Sequence, residues 1–190
     1  SYPVFLISWG SGQNALYTYL LIPFIKILGL TKFAVRLPMA IVSCISIIAM
    51  YYLLKNIFNK KIATIGVIFL AICPWHIMKA RYGLESNIFP NVVLFAILFM
   101  TLGIKKYKMS IFYLGWALIG LSTYAYGTSY FFVTIFSIIT IPFLLIKKEI
   151  KFKNAFIAIL IAIVIASPII IMILINTFDL PEIKFLGFTI

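Results

Sequence analysis

Acidic side chains are almost missing from this sequence, with four in 190 residues, and histidine occurs once. Charged residues of either sign make up only 11% of the chain, too few to coat a soluble globule with water-facing groups. Cysteine is equally scarce. Cys44 and Cys73 sit in or at the ends of apolar runs, without zinc-ligand spacing or the framework of a disulfide-stapled domain, and are expected to be small core residues. A single carboxylate beside a lone histidine is too little to argue a metal site, so a divalent cation is the one cofactor left open. Internal repeats and low-complexity tracts are absent beyond a general Ile, Leu and Phe bias. No initiator methionine or signal peptide is present either, and "SYPVFLISWGSGQN" reads as the middle of a loop, so the chain is expected to be part of a longer one.

What fills the sequence instead is apolar: 64% hydrophobic residues, 17% aromatic, and a mean hydropathy of +1.16. Runs of about 18 or more apolar residues recur, each long enough to cross roughly 30 Å of hydrocarbon as a helix. A single-pass anchor is excluded, and so is a β-barrel, which needs short alternating segments. The predicted fold is all-α, a polytopic transmembrane bundle with about six spanning helices near 33–54, 62–78, 88–104, 110–125, 130–146 and 154–176. Residues 14–30 are shorter and carry Pro23 and Lys26, which suits a helix lying along the interface. The chain therefore divides into an external loop with a juxtamembrane helix (1–32), the six spans (33–176) and the start of another external loop (177–190).

The net charge of +12 does not point to nucleic acid, because the lysines gather in short turns between apolar runs. Lys55, Lys60 and Lys61 form one group, Lys105, Lys106 and Lys108 a second, and Lys147, Lys148, Lys151 and Lys153 a third. They alternate along the chain as turns on one face must, and by the positive-inside rule that face is cytoplasmic. Both ends of segment 14–30 can then be external only if it does not cross. Three of the four acids, Glu85, Asp179 and Glu182, fall outside with His76, Lys79, Arg81 and three tyrosines, Tyr124, Tyr126 and Tyr130. Any functional surface faces outward. Asp179 and Glu182 read as a solvated loop.

One external stretch, "CPWHIMKARYGLESN" (73–87), holds the only histidine, one of two arginines and one of four acids. Pro74 should end or kink the third helix, and Trp75 suits the interface. The plain reading of "HIMKARYGLES" is a solvated loop with Arg81 and Glu85 as an i, i+4 pair of little energetic weight. The sharper reading is chemistry on a lipid-linked phosphate. Arginine grips phosphate oxygens in a bidentate fork, while a carboxylate orients a metal or a hydroxyl. In "STYAYGTSYFF" (122–132) the tyrosines suit an interfacial belt better than an acceptor or sugar pocket, although Tyr82, Tyr124 and Tyr126 remain candidates for the latter.

The order "GQNALYTYLLIPFIKILGLTKFAVRLPMAI", a lysine-rich turn, then "CPWHIMKARYGLESNIF" resembles the integral-membrane glycosyltransferases of the GT-C fold. Within them it is similar to the family 39, protein-mannosyltransferase and aminoarabinose-transferase type. The resemblance implies transfer of a sugar from a polyprenyl-phosphate donor to a protein, lipid or glycan acceptor on the extracytoplasmic face, in a multi-pass protein of a prokaryotic cytoplasmic membrane. By the same resemblance Arg81 binds the donor phosphate, with His76 and Lys79 as further candidates, and Glu85 is the acidic position of the second external loop and the candidate catalytic carboxylate within this sequence. The family's principal catalytic acid lies in the first external loop, upstream of Ser1. The rival reading is a transporter or lipid flippase, which would place ionisable groups near mid-membrane on broken helices, where this chain has almost none.

The lysine turns set a topology that can be measured. In a background lacking Cys44 and Cys73, a reporter cysteine at Lys106 or Lys148 should react only with reagent that reaches the cytoplasm, and one at Ser86 only from outside. Labelling of Ser86 and Lys106 from the same side would sink this topology.

Overall fold

The computed structural model describes residues 5–8, 11–178, 184–185 and 188–189. The expected solvated loop at Asp179 and Glu182 lies outside the described residues. Two strands, β1 (Phe5–Ser8) and β2 (Ser11–Asn14), pair antiparallel as a hairpin ahead of the first helix, where a plain loop was expected. Eight helices come next: α1 (Leu16–Leu28), α2 (Lys32–Ile57), α3 (Lys60–Ile72), α4 (Pro74–Arg81), α5 (Glu85–Lys105), α6 (Met109–Ser122), α7 (Ser129–Ile146) and α8 (Phe152–Phe178). A second hairpin of two-residue strands, β3 (Lys184–Phe185) and β4 (Phe188–Thr189), comes last. The protein is an all-α polytopic bundle with these hairpins appended.

Four helices, α2, α5, α7 and α8, are each long and apolar enough to cross a bilayer alone. The run expected as one span at 62–78 is instead a bent pair, α3 and α4, meeting at 57°. Pro74 is the cause: it holds Cys73 extended (φ −65°, ψ 117°) and takes the first position of α4, where a missing N–H costs nothing. Residues 79–81, expected as loop beyond the 62–78 run, are helical as well. Helix α6 has 14 residues and rises only about 21 Å. It packs between α5 and α8, with Phe112, Trp116 and Ile119 fully buried and Leu114 exposed. At 13 residues α1 is also too short to cross, as its juxtamembrane assignment requires. Gly29, at φ 70°, turns the chain from α1 into α2.

The central packing depends on small residues. Hydrocarbon gives helices no hydrophobic reason to associate, so close backbone approach and dispersion must hold them together. A Cβ on Gly103 of α5 would sit 2.7 Å from the Phe112 Cα, and one on Gly115 of α6 would sit 2.7 Å from the Ala96 carbonyl. Against the other side of α6, α8 presents buried Ala155, Ala158, Ala162 and Ala166, with Gly120 pressed on the Ala162 carbonyl. Thus α6 lies between two small-residue seams.

The three lysine turns share one end of the bundle. The Lys105 ammonium donates to the Asn56 carbonyl, joining the α5–α6 turn to the α2–α3 turn. The Tyr113 hydroxyl donates to Asn154 Oδ1 (3.0 Å), joining the start of α6 to the start of α8. Two of these turns are built alike, with a left-handed residue after the helix, Tyr107 (φ 53°) and Lys148 (φ 56°), and a six-to-one closing bond, Lys108 N–H to Gly103 O and Glu149 N–H to Leu144 O. The core expectation for the cysteines is corrected: Cys44 is exposed on α2 and Cys73 is half-buried at the α3–α4 break.

Because the α5–α6 contact depends on missing side chains, Gly103→Ala and Gly115→Ala should each lower stability in detergent by about 1–3 kcal/mol. Gly127→Ala, which has open space around it, should be neutral. Thermal midpoints of the three variants would distinguish these outcomes.

Candidate active site

At the end opposite the lysine turns, four elements converge on Asn14. The residue closes the first hairpin and is only 2% exposed. Its backbone N–H donates to Glu85 Oε2 at the start of α5 (2.5 Å), and its Nδ2 donates to the Thr123 carbonyl just past α6 (3.2 Å). Its Oδ1 accepts from the Tyr130 hydroxyl on α7 (3.1 Å). Beside it, Leu16 N–H donates to the Tyr124 carbonyl (3.0 Å). Glu85 is half-buried in the first turn of α5, where the helix dipole favours a negative charge. Its partner is thus the Asn14 amide; Arg81 and Glu85 form no ion pair among the described residues, because α4 ends at Arg81 and a three-residue turn separates them.

Two tyrosines hold this end rigid. The Tyr17 hydroxyl donates to the Val35 carbonyl (2.7 Å), in the turn of α2 that Pro38 loosens, and Gly83 packs so closely that a Cβ there would lie 2.7 Å from that hydroxyl. Tyr124 donates to the Ile165 carbonyl of α8 (2.8 Å). Burial pushes both phenols up to about 12, for Tyr17 against a partial offset from the Met39 backbone N–H, so both stay neutral donors at physiological pH. The belt expected at Tyr124 and Tyr130 is therefore not what forms, since both hydroxyls are spent inside the bundle. Tyr126 is half-buried and makes no side-chain hydrogen bond among the described residues.

The cations assemble beside this knot. A groove of about 380 Å³ between α2 and the bent pair α3–α4 is lined by Arg36, His76 and Arg81, with Phe33, Leu37 and Ile77 among its apolar walls. Both arginines of the chain and its only histidine thus meet at one opening. The Arg36 guanidinium lies over the Tyr82 ring, 5.7 Å from its centroid, which orients the cation without neutralising it. Lys79 is on another face of α4, its ammonium 5.6 Å from the Trp75 centroid, and lines a small polar pocket against α5. His76 borders both spaces. Arg36 did not stand out in the sequence, because it is far along the chain from Arg81 and sits in an "RLP" helix start. The available signal was its rarity: an arginine at the outer edge of a span in a chain with only two. Among the described residues no group of three or more metal-binding side chains occurs.

The Asn14 knot can be tested by deletion. Asn14→Ala strands the Thr123 carbonyl and the Tyr130 hydroxyl together and should cost about 2 kcal/mol, whereas Tyr130→Phe should cost about 1. A double-mutant cycle on unfolding should show the two changes to be strongly non-additive, and additivity would dissolve the knot.

No curated protein and no solved structure matches the chain. A protein-family profile does, that of the dolichyl-phosphate-mannose-protein mannosyltransferases, over residues 14–172. That span starts at Asn14 and takes in the knot, the cation groove and all eight helices in whole or in part. With most of its length inside the profile and a multi-pass apolar bundle around the site, the chain belongs to the dolichyl-phosphate-mannose-protein mannosyltransferase family and is a membrane glycosyltransferase of the mannosyltransferase type.

Proposed function

We propose that the protein transfers a sugar from a polyprenyl-phosphate donor to an acceptor on the extracytoplasmic face, and that the α2–α4 groove holds the donor. The observation that carries this reading is that Arg36 and Arg81 share a groove whose lining, His76 and Ser43 apart, is otherwise apolar. A lipid phosphate has that same division, an anionic head on a hydrocarbon chain. Guanidinium forks match phosphate oxygens, and the Phe33, Leu37 and Ile77 side chains suit the first isoprene units.

In the reaction an acceptor hydroxyl attacks the anomeric carbon, the bond from that carbon to the phosphate oxygen breaks, and its electron pair stays on the phosphate. Arg36 and Arg81 stabilise the charge that grows there, which helps most where lipid and protein exclude water. Glu85, fixed by the Asn14 amide through Oε2, keeps Oε1 for orienting the acceptor hydroxyl. The acceptor proton passes to a general base, the role that the family resemblance gives to an acid of the first external loop. The acceptor is a protein, lipid or glycan, and the lysine turns at the opposite end of the bundle support a site on the outer face.

Arg81→Lys and Arg36→Lys keep the charge and lose the fork, so kcat/KM of the full chain in membranes should fall sharply at matched abundance, with the alanine variants worse. Losing a charged partner in a shielded site costs about 2–4 kcal/mol, or roughly thirty-fold to a thousand-fold in rate. Near-normal transfer in both alanine variants removes the phosphate clamp, and Glu85→Gln tests the carboxylate separately.

A further inference from the structure

Helix α4 carries Arg81 and His76, yet it buries none of its own side chains and is separated from α3 by the Cys73–Pro74 break. Apolar burial therefore does not fix its angle. A buried polar seam reaches it from the bundle instead. Ser46 of α2 (1% exposed) donates to Asn91 Oδ1 of α5 (2.6 Å), and Asn91 Nδ2 donates to the Asn87 carbonyl (2.9 Å). Asn87, 3% exposed, gives both Nδ2 protons away, to the Lys79 carbonyl (3.1 Å) and the Tyr82 carbonyl (2.9 Å). Those are the carbonyls at the end of α4; each also accepts one backbone N–H, Lys79 from Tyr82 (3.4 Å) and Tyr82 from Leu84 (2.9 Å), so Asn87 gives each a second donor and ties both to α5.

Two acceptors on one side force the Asn87 amide to point its NH₂ at α4, so Oδ1 must face the other way. There it is buried without a partner among the described residues, as is Nε2 of His76, and both residues line a pocket of about 40 Å³ with Ser43 and Ser86. That volume is about one water, which can donate to Asn87 Oδ1 and bond to His76 Nε2. Buried amides inside apolar helices are expensive, and neither Asn87 nor Asn91 touches the α2–α4 groove.

We propose that Asn87 is a positioning residue: backed by Asn91 and Ser46, it holds the end of α4 and, through one bridging water, the His76 ring, and so sets how Arg81 and His76 face the groove. The inference rests on the donor-phosphate reading of that groove, but its central claim concerns the angle of α4 and can be measured apart from transfer. Asn87→Asp is nearly isosteric and puts a carboxylate oxygen against two carbonyl oxygens. If the amide merely filled space, it would be harmless.

The test uses the full chain in lipid nanodiscs, without Cys44 and Cys73, with cysteines at Ala40 of α2 and Ala80 of α4, which line opposite walls of the groove. A short bifunctional maleimide reads the approach of the two helices, and competition by polyprenyl phosphate reads the groove. Asn87→Ala should slow crosslinking several-fold and weaken polyprenyl-phosphate binding about tenfold, raising KM more than it lowers kcat. Asn87→Asp should be at least as severe, and Ser46→Ala, which touches neither α4 nor the groove, should shift both in the same direction by less. Should Asn87→Ala not fold, the Asp and Ser46 variants carry the test. Ser137→Ala, a hydroxyl bonded within α7, should change nothing. Wild-type crosslinking in Asn87→Asp overturns the proposal whatever happens to transfer. Slowed crosslinking with unchanged lipid-phosphate affinity upholds Asn87's hold on α4 and overturns the donor reading of the groove.

Discussion

A peptide carbonyl without a donor in hydrocarbon costs several kcal/mol, and each proline inside a spanning helix strands one. This chain interrupts α2, α5, α7 and α8 with Pro38, Pro90, Pro142 and Pro168, and polar side chains bond at or beside three of those gaps. Ser167 donates to the Val164 carbonyl that Pro168 releases, at 2.7 Å, and Tyr124 takes the next carbonyl, that of Ile165. Tyr17 bonds Val35 in the turn below Pro38, and Asn91 bonds the Asn87 carbonyl beside the one released by Pro90. Since Tyr17 and Tyr124 reach from other segments, these repairs also join elements. These contacts hold together the helix ends that meet around Asn14.

That meeting is what gives the site its geometry. At the lysine end two turns are left-handed and closed by their own backbone, with single side-chain bonds between neighbouring turns. The opposite end is tied more tightly: the first hairpin, α5, the segment after α6 and α7 all bond to one asparagine. A carboxylate is held there by a backbone amide and, beside it, two guanidinium groups border an apolar groove. A membrane transferase needs this asymmetry. One end must only satisfy its backbone, while the other must hold a few polar groups still at the edge of a lipid phase that would otherwise reject them.

Most of the bundle was legible because apolar length and lysine placement answer to the bilayer directly. The ends of α2, α5, α7 and α8 lie within a few residues of the runs read from the sequence. The break at Pro74 was legible too, since an imide nitrogen cannot continue a helix. The helix after it was not, because residues 74–81 have no apolar stripe; α4 persists through its proline start, the helix formers Met78, Lys79, Ala80 and Arg81, and the Asn87 contacts at its end. The 14-residue α6 was read as an ordinary span since its composition is that of one; it runs from the lysine turns to the Asn14 knot packed between α5 and α8.

His76, Lys79, Arg81 and Glu85 announced themselves by rarity, and membership of a membrane glycosyltransferase family followed from the order of motifs along the chain. Composition, charge asymmetry and proline positions act locally or against the solvent, so the sequence by itself determined the polytopic helical class, the face that carries the lysines and the face that carries the polar cluster. Partnership is different, because it depends on which distant segments touch. Only the tertiary structure brought Arg36 to Arg81, turned Lys79 away onto Trp75, gave Glu85 the Asn14 amide in place of Arg81, and aimed Asn87 at the end of α4. Apart from Lys79 on Trp75, an i, i+4 pair within α4, each of those contacts links separate elements, where a shift in packing would exchange the partners.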